Sequence, residues 1–470
     1  MIELSLSHIA HTLRGELRLA GDDTPDTLVG GPVDTDSRLL GPGGVFFAKP
    51  GAETDGHLFV GAAVANGAVL AVVEHPVDEP VTQIVVPDVV QALHDLAREV
   101  VAIVRAEGSL KIVGVTGSNG KTTTKNLLAR ILSDEGETVA PRASFNNEVG
   151  APLTMLRVTH DTRFLVSEFG ASAPGEIARL AGLVNPDIGI VLMVGMAHAG
   201  GFGGIEATFH AKSELVKALR PGGLAVLNAD DPRVRQMAPI AAEHGCEVRW
   251  FGRAEDAAVR AEDIEVTASG TSCTVTIDGA RFPLHLQVLG AHHVMNALAA
   301  TAAATALGVD PAACVARLET VELAERWRMQ PLGSERVRII NDAYNASPDS
   351  MAAALRTLAQ ITAPDQRAVA VLGAMSELGE QAGEEHDRIG ELAVRLRIPR
   401  IVVVGTEARR LYLAAVAEGS WNDEAVFFPT ADEAYDYLMG ELRDGDRVLV
   451  KSSNSAGLRF LGDRLGESFS

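Results

Sequence analysis

Short apolar runs set off by glycine- and proline-rich turns open the chain. Residues 44–48, 69–73 and 83–86 each read as a buried strand. From 87 to 107 the period changes. Val90, Leu93, Leu96, Val100 and Val104 recur every three or four positions, which predicts an amphipathic helix ending at a Gly108-Ser109 hinge. Beyond it, apolar strands at 111–115, 164–167, 188–194 and 224–228 alternate with helical stretches, the first at 121–132. That alternation predicts a mostly parallel sheet with helices on both faces. Between 261 and 289, apolar and polar positions alternate around Asp278-Gly279, the pattern of a small antiparallel patch. A last series of strands at 337–340, 368–372, 401–404 and 447–450, with helices such as 350–358 and 431–442, predicts an open α/β sheet of the nucleotide-binding sort. The expected fold class is α/β in three domains: 1–108, 109–325 and 326–470.

Composition narrows the function. With 47% hydrophobic but only 4% aromatic residues, the cores must be aliphatic. A net charge of −21 argues against an extended nucleic-acid surface, which needs Lys and Arg in excess, yet leaves room for a small phosphorylated ligand in a locally basic pocket. Cys246, Cys273 and Cys314 show neither disulfide nor zinc spacing and read as small buried residues in a reducing compartment. The N-terminal segment MIELSLSHIAHTLRGEL lacks the basic and apolar regions of a signal peptide, and no run of about 18 apolar residues occurs. The expectation is a cytoplasmic protein without stable membrane insertion, and a monomer.

The sharpest chemical signal is Val113-Gly-Val-Thr-Gly-Ser-Asn-Gly-Lys-Thr-Thr-Thr124, between an apolar strand and a helix. Backbone N–H groups and the helix dipole at such a turn hold polyphosphate. Gly117 and Gly120 let the backbone approach, Lys121 reaches the β- and γ-phosphates, and Thr122 offers its hydroxyl to Mg²⁺. The strict Walker spacing fails by one place, because Val115 stands where it needs glycine. Glu168, at the carboxyl end of a parallel strand, is placed for a metal ligand.

The run Thr-Gly-Ser-Asn-Gly-Lys-Thr-Thr resembles the ATP loop of the Mur ligases, and later motifs follow in that family's order along essentially the whole chain. The resemblance implies a central parallel-sheet P-loop ATPase domain, a C-terminal Rossmann-like ligase domain and a small α/β N-terminal domain that binds UDP. It implies that Gly117, Ser118, Asn119, Gly120, Lys121, Thr122 and Thr123 bind ATP, and that Glu168 and His198 serve a second magnesium. It makes Lys212, read here as beginning a helix, a lysine that CO₂ converts to a carbamate, with two new oxygens for Mg²⁺. Asn296 matches an adenine contact. Arg328 matches an arginine near the ATP phosphates, with Arg326 a second candidate.

Asn341-Asp-Ala-Tyr-Asn-Ala-Ser-Pro348 resembles the Asp-Ala-Tyr-Asn-Ala-Asn-Pro motif of the member that extends a muramyl tripeptide, with Ser347 replacing the commoner Asn. It places Asp342 and Tyr344 on the ribose and base and Asn345 in the cleft. Ser37, Arg38, Asp55, Gly56 and His57 match the UDP signature. Asn146, Asn147 and Thr154 match a segment expected to contact the muramyl peptide or its acyl phosphate. At the far end, Lys451-Ser-Ser-Asn454 departs from the family's Lys-Gly-Ser-Arg at two of four places.

The implied reaction joins D-alanyl-D-alanine to the tripeptide carboxylate of UDP-N-acetylmuramoyl-tripeptide through an acyl phosphate. The implied catalytic residues are Lys121, Lys212, His198 and Arg328, at a cleft between three domains, with the third closing over ATP. Two other family members compete. A diaminopimelate-adding ligase carries Asp-Asn-Pro-Arg in its third domain, which residues 402–409 lack. A folylpolyglutamate synthase lacks the Asp-Ala-Tyr-Asn motif. A P-loop switch driven by ATP hydrolysis is the reading outside the family. The third residue of the peptide, lysine or diaminopimelate, is left open.

Overall fold

The computed structural model describes residues 1–51, 54–196, 204–321, 326–419 and 424–470. Its first unit is built on a five-stranded sheet. Val33–Asp34, Gly44–Phe47, Ala68–Val73 and Thr82–Val85 run parallel in that order, and Glu16–Arg18 closes the far edge antiparallel. Val45, Phe46 and Phe47 are all fully buried, because both faces of the sheet are covered.

The helix Val89–Ala106 starts where the Asp88 carboxylate accepts the Gln91 N–H, and its apolar stripe is buried as the periodicity predicts. That stripe packs against both units. One continuous core joins Leu93, Leu96, Val100 and Val104 to Ile112, Leu153, Leu165 and Ile177 of the next domain. Arg105 adds bonds to the Val184 carbonyl (2.5 Å) and the Asp187 carboxylate (3.1 Å), and the His94 Nε2–H donates to the Glu148 carbonyl (2.7 Å). The expected hinge at Gly108 therefore joins two units with a common interior.

In the central sheet Lys111–Thr116 lies between Thr162–Glu168 and Ile188–Val191, with Glu137–Val139 at one edge. On the other side follow Leu224–Asn228, Glu247–Gly252 and Val259–Thr267, all parallel, then Gly270–Ile277 and Ala280–Leu286, antiparallel. The antiparallel patch expected from the sequence is thus continuous with the main sheet, making nine strands. Its hairpin turns at Asp278 (φ 48°) and Gly279 (φ 90°), the two left-handed residues that a tight hairpin needs.

The third unit has the strand order Gln330–Gly333, Val337–Asn341, Asp446–Lys451, Arg367–Leu372, Arg400–Val404, Ala425–Phe428, parallel except for the first. The helix Pro348–Ile361 packs on one face and Leu458–Ser468 on the other. These helices follow neighbouring strands, so a crevice opens at the strands' carboxyl ends, where α/β sheets bind ligands. Among the described residues no helix is long and apolar enough to cross a membrane.

Candidate active site

The glycine-rich turn leaves the buried strand Lys111–Thr116 and enters the helix Lys121–Ser133 with no side chain capping its first N–H groups. Those amides and the helix dipole are left to an anion. The Ser118 hydroxyl staples the turn to Gly195, accepting its N–H (2.9 Å) and donating to its carbonyl (3.1 Å). Gly120 sits at φ 84°, which favours glycine, and a Cβ there would lie 2.4 Å from Asn296 Oδ1 and displace that side chain. Lys121 curls back, its Nζ donating to the Gly117 carbonyl (2.8 Å). Burial lowers its pKa, Glu168 pushes it up, and Arg328 lowers it further.

Thr122 and Ser144 share a hydroxyl contact (3.1 Å), and Arg328, from the third unit, donates to both (3.3 and 3.0 Å). The Arg328 guanidinium lies over the Tyr344 ring at 4.1 Å. Ser347 donates to Asn119 Oδ1 (3.2 Å), and the Asp349 carboxylate accepts the Met196 N–H (3.3 Å). The third unit is thus docked on the phosphate loop. Between the two lies a cavity of about 740 Å³, whose walls come from these two units. The first unit reaches only its rim, where Lys49 pairs with Glu148 at 3.6 Å. The expected three-domain cleft is, in its described lining, a two-domain one.

Glu168 is buried at the end of its strand. One oxygen accepts from Asn146 Nδ2 (2.7 Å), and the other, Oε2, has no hydrogen-bond partner. An orphaned buried carboxylate oxygen is costly unless something binds it. With the Thr122 hydroxyl on the same cavity, this is a hard oxygen donor set of the kind Mg²⁺ takes, so the residues fit the ion.

Lys212 corrects the sequence reading. It does not begin a helix but sits well inside Ile205–Lys217, because the glycine-rich approach ends at Gly204 and the helix starts there. Only 1% of the side chain's residue is exposed, and burial, with Lys121 adding repulsion, brings its pKa down to about 7. Near neutral pH a substantial share of such an amine is neutral, and the neutral amine is the form that reacts with CO₂. His198 lies outside the described residues.

His292, His293 and Asn296 occupy the first turns of the helix Ala291–Ala306, which Gly290 starts without a side-chain cap. Burial pushes His292 down to about 4 and His293 well below the usual histidine range; neither ring nitrogen of His293 has a partner. Asn296 and Gly120 also face a second cavity of about 570 Å³ behind the phosphate loop, lined by Phe251, Met295 and Arg253.

Asp342, Tyr344 and Asn345 line the main cavity, and Asp342 is already engaged. It accepts the Met329 N–H (3.0 Å) and the Lys451 ammonium (2.5 Å), which also reaches the Asn345 carbonyl (3.1 Å). The retained lysine of the atypical terminal loop therefore fixes the Asp-Ala-Tyr-Asn turn. Asn146 and Asn147 line the cavity, the latter's Oδ1 also accepting the Gly150 N–H (2.9 Å). Thr154 does not. It is buried, and its hydroxyl donates to the Gly150 carbonyl of its own helix (3.0 Å).

Ser37, Arg38, Asp55, Gly56 and His57 lie together in the first unit, off the cavity, on two single-turn helices that flank Val60–Ala65. The exposed Arg38 pairs with Asp36 at 2.6 Å. His57 is buried, with Nδ1–H donating to Asp55 (2.6 Å) and Nε2 accepting the Glu74 N–H (2.8 Å). Ser144, His293 and Asp349 join the cavity from inside or beside the family-like stretches without having been singled out there, and Glu377 joins it from a segment that carries no motif.

Known proteins place this arrangement. The family model described as "Mur ligase middle domain" matches residues 115–304, "Mur ligase, glutamate ligase domain" matches 327–454, and "Mur ligase family, catalytic domain" matches 32–103. UDP-N-acetylmuramoyl-tripeptide–D-alanyl-D-alanine ligase of Mycobacterium tuberculosis is 41% identical over 99% of this chain and 98% of its own. MurF of Acinetobacter baumannii superimposes with a TM-score of 0.88 at 30% identity, covering 99% of each chain. MurF of Thermotoga maritima, solved in complex with ADP, gives 0.80 at 27% identity over 93% of this chain and 97% of that one. The chain belongs to the Mur ligase family.

Proposed function

We propose that this chain is the ATP-dependent ligase that joins D-alanyl-D-alanine to the tripeptide carboxylate of UDP-N-acetylmuramoyl-tripeptide, in peptidoglycan precursor synthesis. The observation that carries the reading is the convergence of Lys121, Arg328 and the orphaned Glu168 oxygen on an uncapped helix start, in one cavity between two domains. Near-full-length likeness to ligases of that name supplies the substrates.

The division of work we infer is as follows. The helix amides hold the β-phosphate of ATP, while Lys121 and Arg328 neutralise the charge of the transferring phosphoryl group. To do so Lys121 turns from the Gly117 carbonyl to the phosphates, a motion its flexible stem allows. Thr122 and Glu168 would hold Mg²⁺, which supplies further charge neutralisation when bound. The tripeptide carboxylate attacks the γ-phosphorus and ADP leaves. The dipeptide amine then attacks the acyl carbon, the tetrahedral intermediate collapses, and inorganic phosphate departs. No side chain needs to form a covalent bond to substrate. The protein aligns the reactants and shields them from water.

Asn296 on the adenine, Asp342 and Tyr344 on the nucleoside and the Ser37–His57 turns on the UDP moiety complete the reading. Lys212, buried and close to neutral, has the chemistry of a lysine that takes up CO₂ and then offers carbamate oxygens to magnesium. ATP and UDP-linked precursors are cytoplasmic metabolites, and the cytoplasm is the proposed location. Phosphate release by the purified protein tests the whole. It should require UDP-N-acetylmuramoyl-tripeptide and D-alanyl-D-alanine together; hydrolysis independent of both would overturn the ligase reading in favour of a nucleotide switch.

A further inference from the structure

Arg328 reaches from the third unit to the phosphate loop, and its two chain neighbours are both left-handed without being glycine. Trp327 has φ 64° and Met329 φ 47°. Each such residue costs energy and persists only where its surroundings over-determine it. The surroundings are explicit. The Trp327 N–H donates to Gln330 Oε1 (2.9 Å), its carbonyl accepts the Tyr344 N–H (3.0 Å), and the Met329 N–H donates to Asp342. The Trp327 indole N–H donates to both Asp463 oxygens (3.2 and 3.0 Å). Arg326 and Arg459 flank the indole ring, at 4.7 and 5.3 Å from its centroid, and Arg326 closes an ion pair with the same Asp463 at 2.8 Å.

We propose that Trp327, clamped by Asp463, is a positioning residue for the ligation. It fixes the strained backbone on which Arg328 is carried, so that the guanidinium meets the phosphoryl group without searching. The clamp also gives the atypical terminal loop a role. Asn454 accepts from the Arg459 guanidinium through both its carbonyl (2.6 Å) and its side chain (2.5 Å), and Arg459 stacks on Trp327. Where the family's usual motif has arginine at 454, this chain has an asparagine that holds a neighbouring guanidinium against the clamp.

The proposal rests on the ligase reading, which wild-type turnover tests separately; the experiment below is scored only relative to that turnover. Trp327→Leu should lower kcat on the order of tenfold to a hundredfold, as a small misplacement of an aligned group does. The KM for UDP-N-acetylmuramoyl-tripeptide should stay within about twofold, since Arg328 acts at the phosphates. Asp463→Asn keeps an acceptor for the indole and should retain most activity; Asp463→Leu should match Trp327→Leu. The deciding measurement is a double-mutant cycle. In an Arg328→Ala background, Trp327→Leu should cost nothing further in kcat, because the group it positions is gone. Additive losses, an unchanged kcat for Trp327→Leu, or failure of Asp463→Asn to rescue would each overturn the proposal. Trp327→Phe, which keeps an aromatic ring but loses the pyrrole ring and its N–H, provides a milder variant for the same cycle.

Discussion

The turn at Asp55–His57 and the floor of the main cavity both hold buried polar groups, and they solve the problem of burial in opposite ways. In the first unit both His57 nitrogens are used internally, by Asp55 and by the Glu74 N–H. In the cavity Glu168 Oε2 and both nitrogens of His293 have nothing, and Lys121 occupies itself with its own turn. The difference separates a turn whose shape its own hydrogen bonds fix in advance from a site left open to its ligand. A satisfied buried group stabilises the fold as it stands, whereas an unsatisfied one is a debt that only a ligand settles.

Four substitutions can break or sharpen that contrast. The largest effect belongs to Lys121→Ala, which should lower ligation by about 10²–10³-fold, as loss of one donor to a developing charge does. Steady-state phosphate release checks it, and near-wild-type turnover would refute the assignment. Glu168→Gln should cost roughly 10–100-fold and raise the magnesium needed for half-maximal rate. Relief of the orphaned oxygen and loss of the negative charge facing Lys121 oppose each other, so the ligand-free melting temperature should change little; a large drop would mean that Glu168 is structural. His57→Ala should do the reverse. Stranding the Glu74 N–H should cost about 1–3 kcal/mol in denaturant unfolding, with the KM for ATP unmoved.

The smallest effect concerns Lys212. Its folded pKa lies at about 7, below the ordinary 10.5, so the neutral amine grows as pH rises through 7. The unfolded lysine stays protonated up to its ordinary value, so the handicap of burying it is greatest below 7 and fades between the two. After CO₂ is stripped, bicarbonate adjusted to give the same dissolved CO₂ at each pH should restore activity faster a pH unit above 7 than a unit below. A rate indifferent to both bicarbonate and pH would remove the carbamate from the mechanism. Lys212→Met, in turn, should melt no lower than the stripped wild type at acidic pH.

What could be read in advance follows how local the determinants are. The phosphate loop was legible because glycines, lysine and threonine lie within eight residues and their strand and helix adjoin them. The parallel sheets were legible for a similar reason, since buried strands such as Ile188–Val191 are continuous apolar runs. Lys212 falls inside its helix instead of at its start because helix starts are poorly marked where no capping side chain stands, as at Gly204. The motif implies that Thr154 contacts substrate, yet a threonine in a helix can turn its hydroxyl to the carbonyl four residues back, and this one does, away from the cavity's described lining. The strand Glu247–Gly252, which ties the hairpins to the main sheet, is mostly half-exposed and lacks an apolar run. Ser144 and His293 sit in family-like stretches, but only the third dimension, which brings Arg328 to Ser144 and buries His293 at the cavity, distinguishes them from their neighbours.

The helix Val89–Ala106 belongs to two interiors at once, and this shapes how the chain comes apart. Removing the first unit would strip the central sheet of part of its own lining, so those two should lose protection against hydrogen exchange together. The third, with its separate interiors on either side of its sheet, should exchange as a cooperative block of its own. Three modules by shape would then be two by thermodynamics, and a cut between the first pair would yield fragments that need each other to persist.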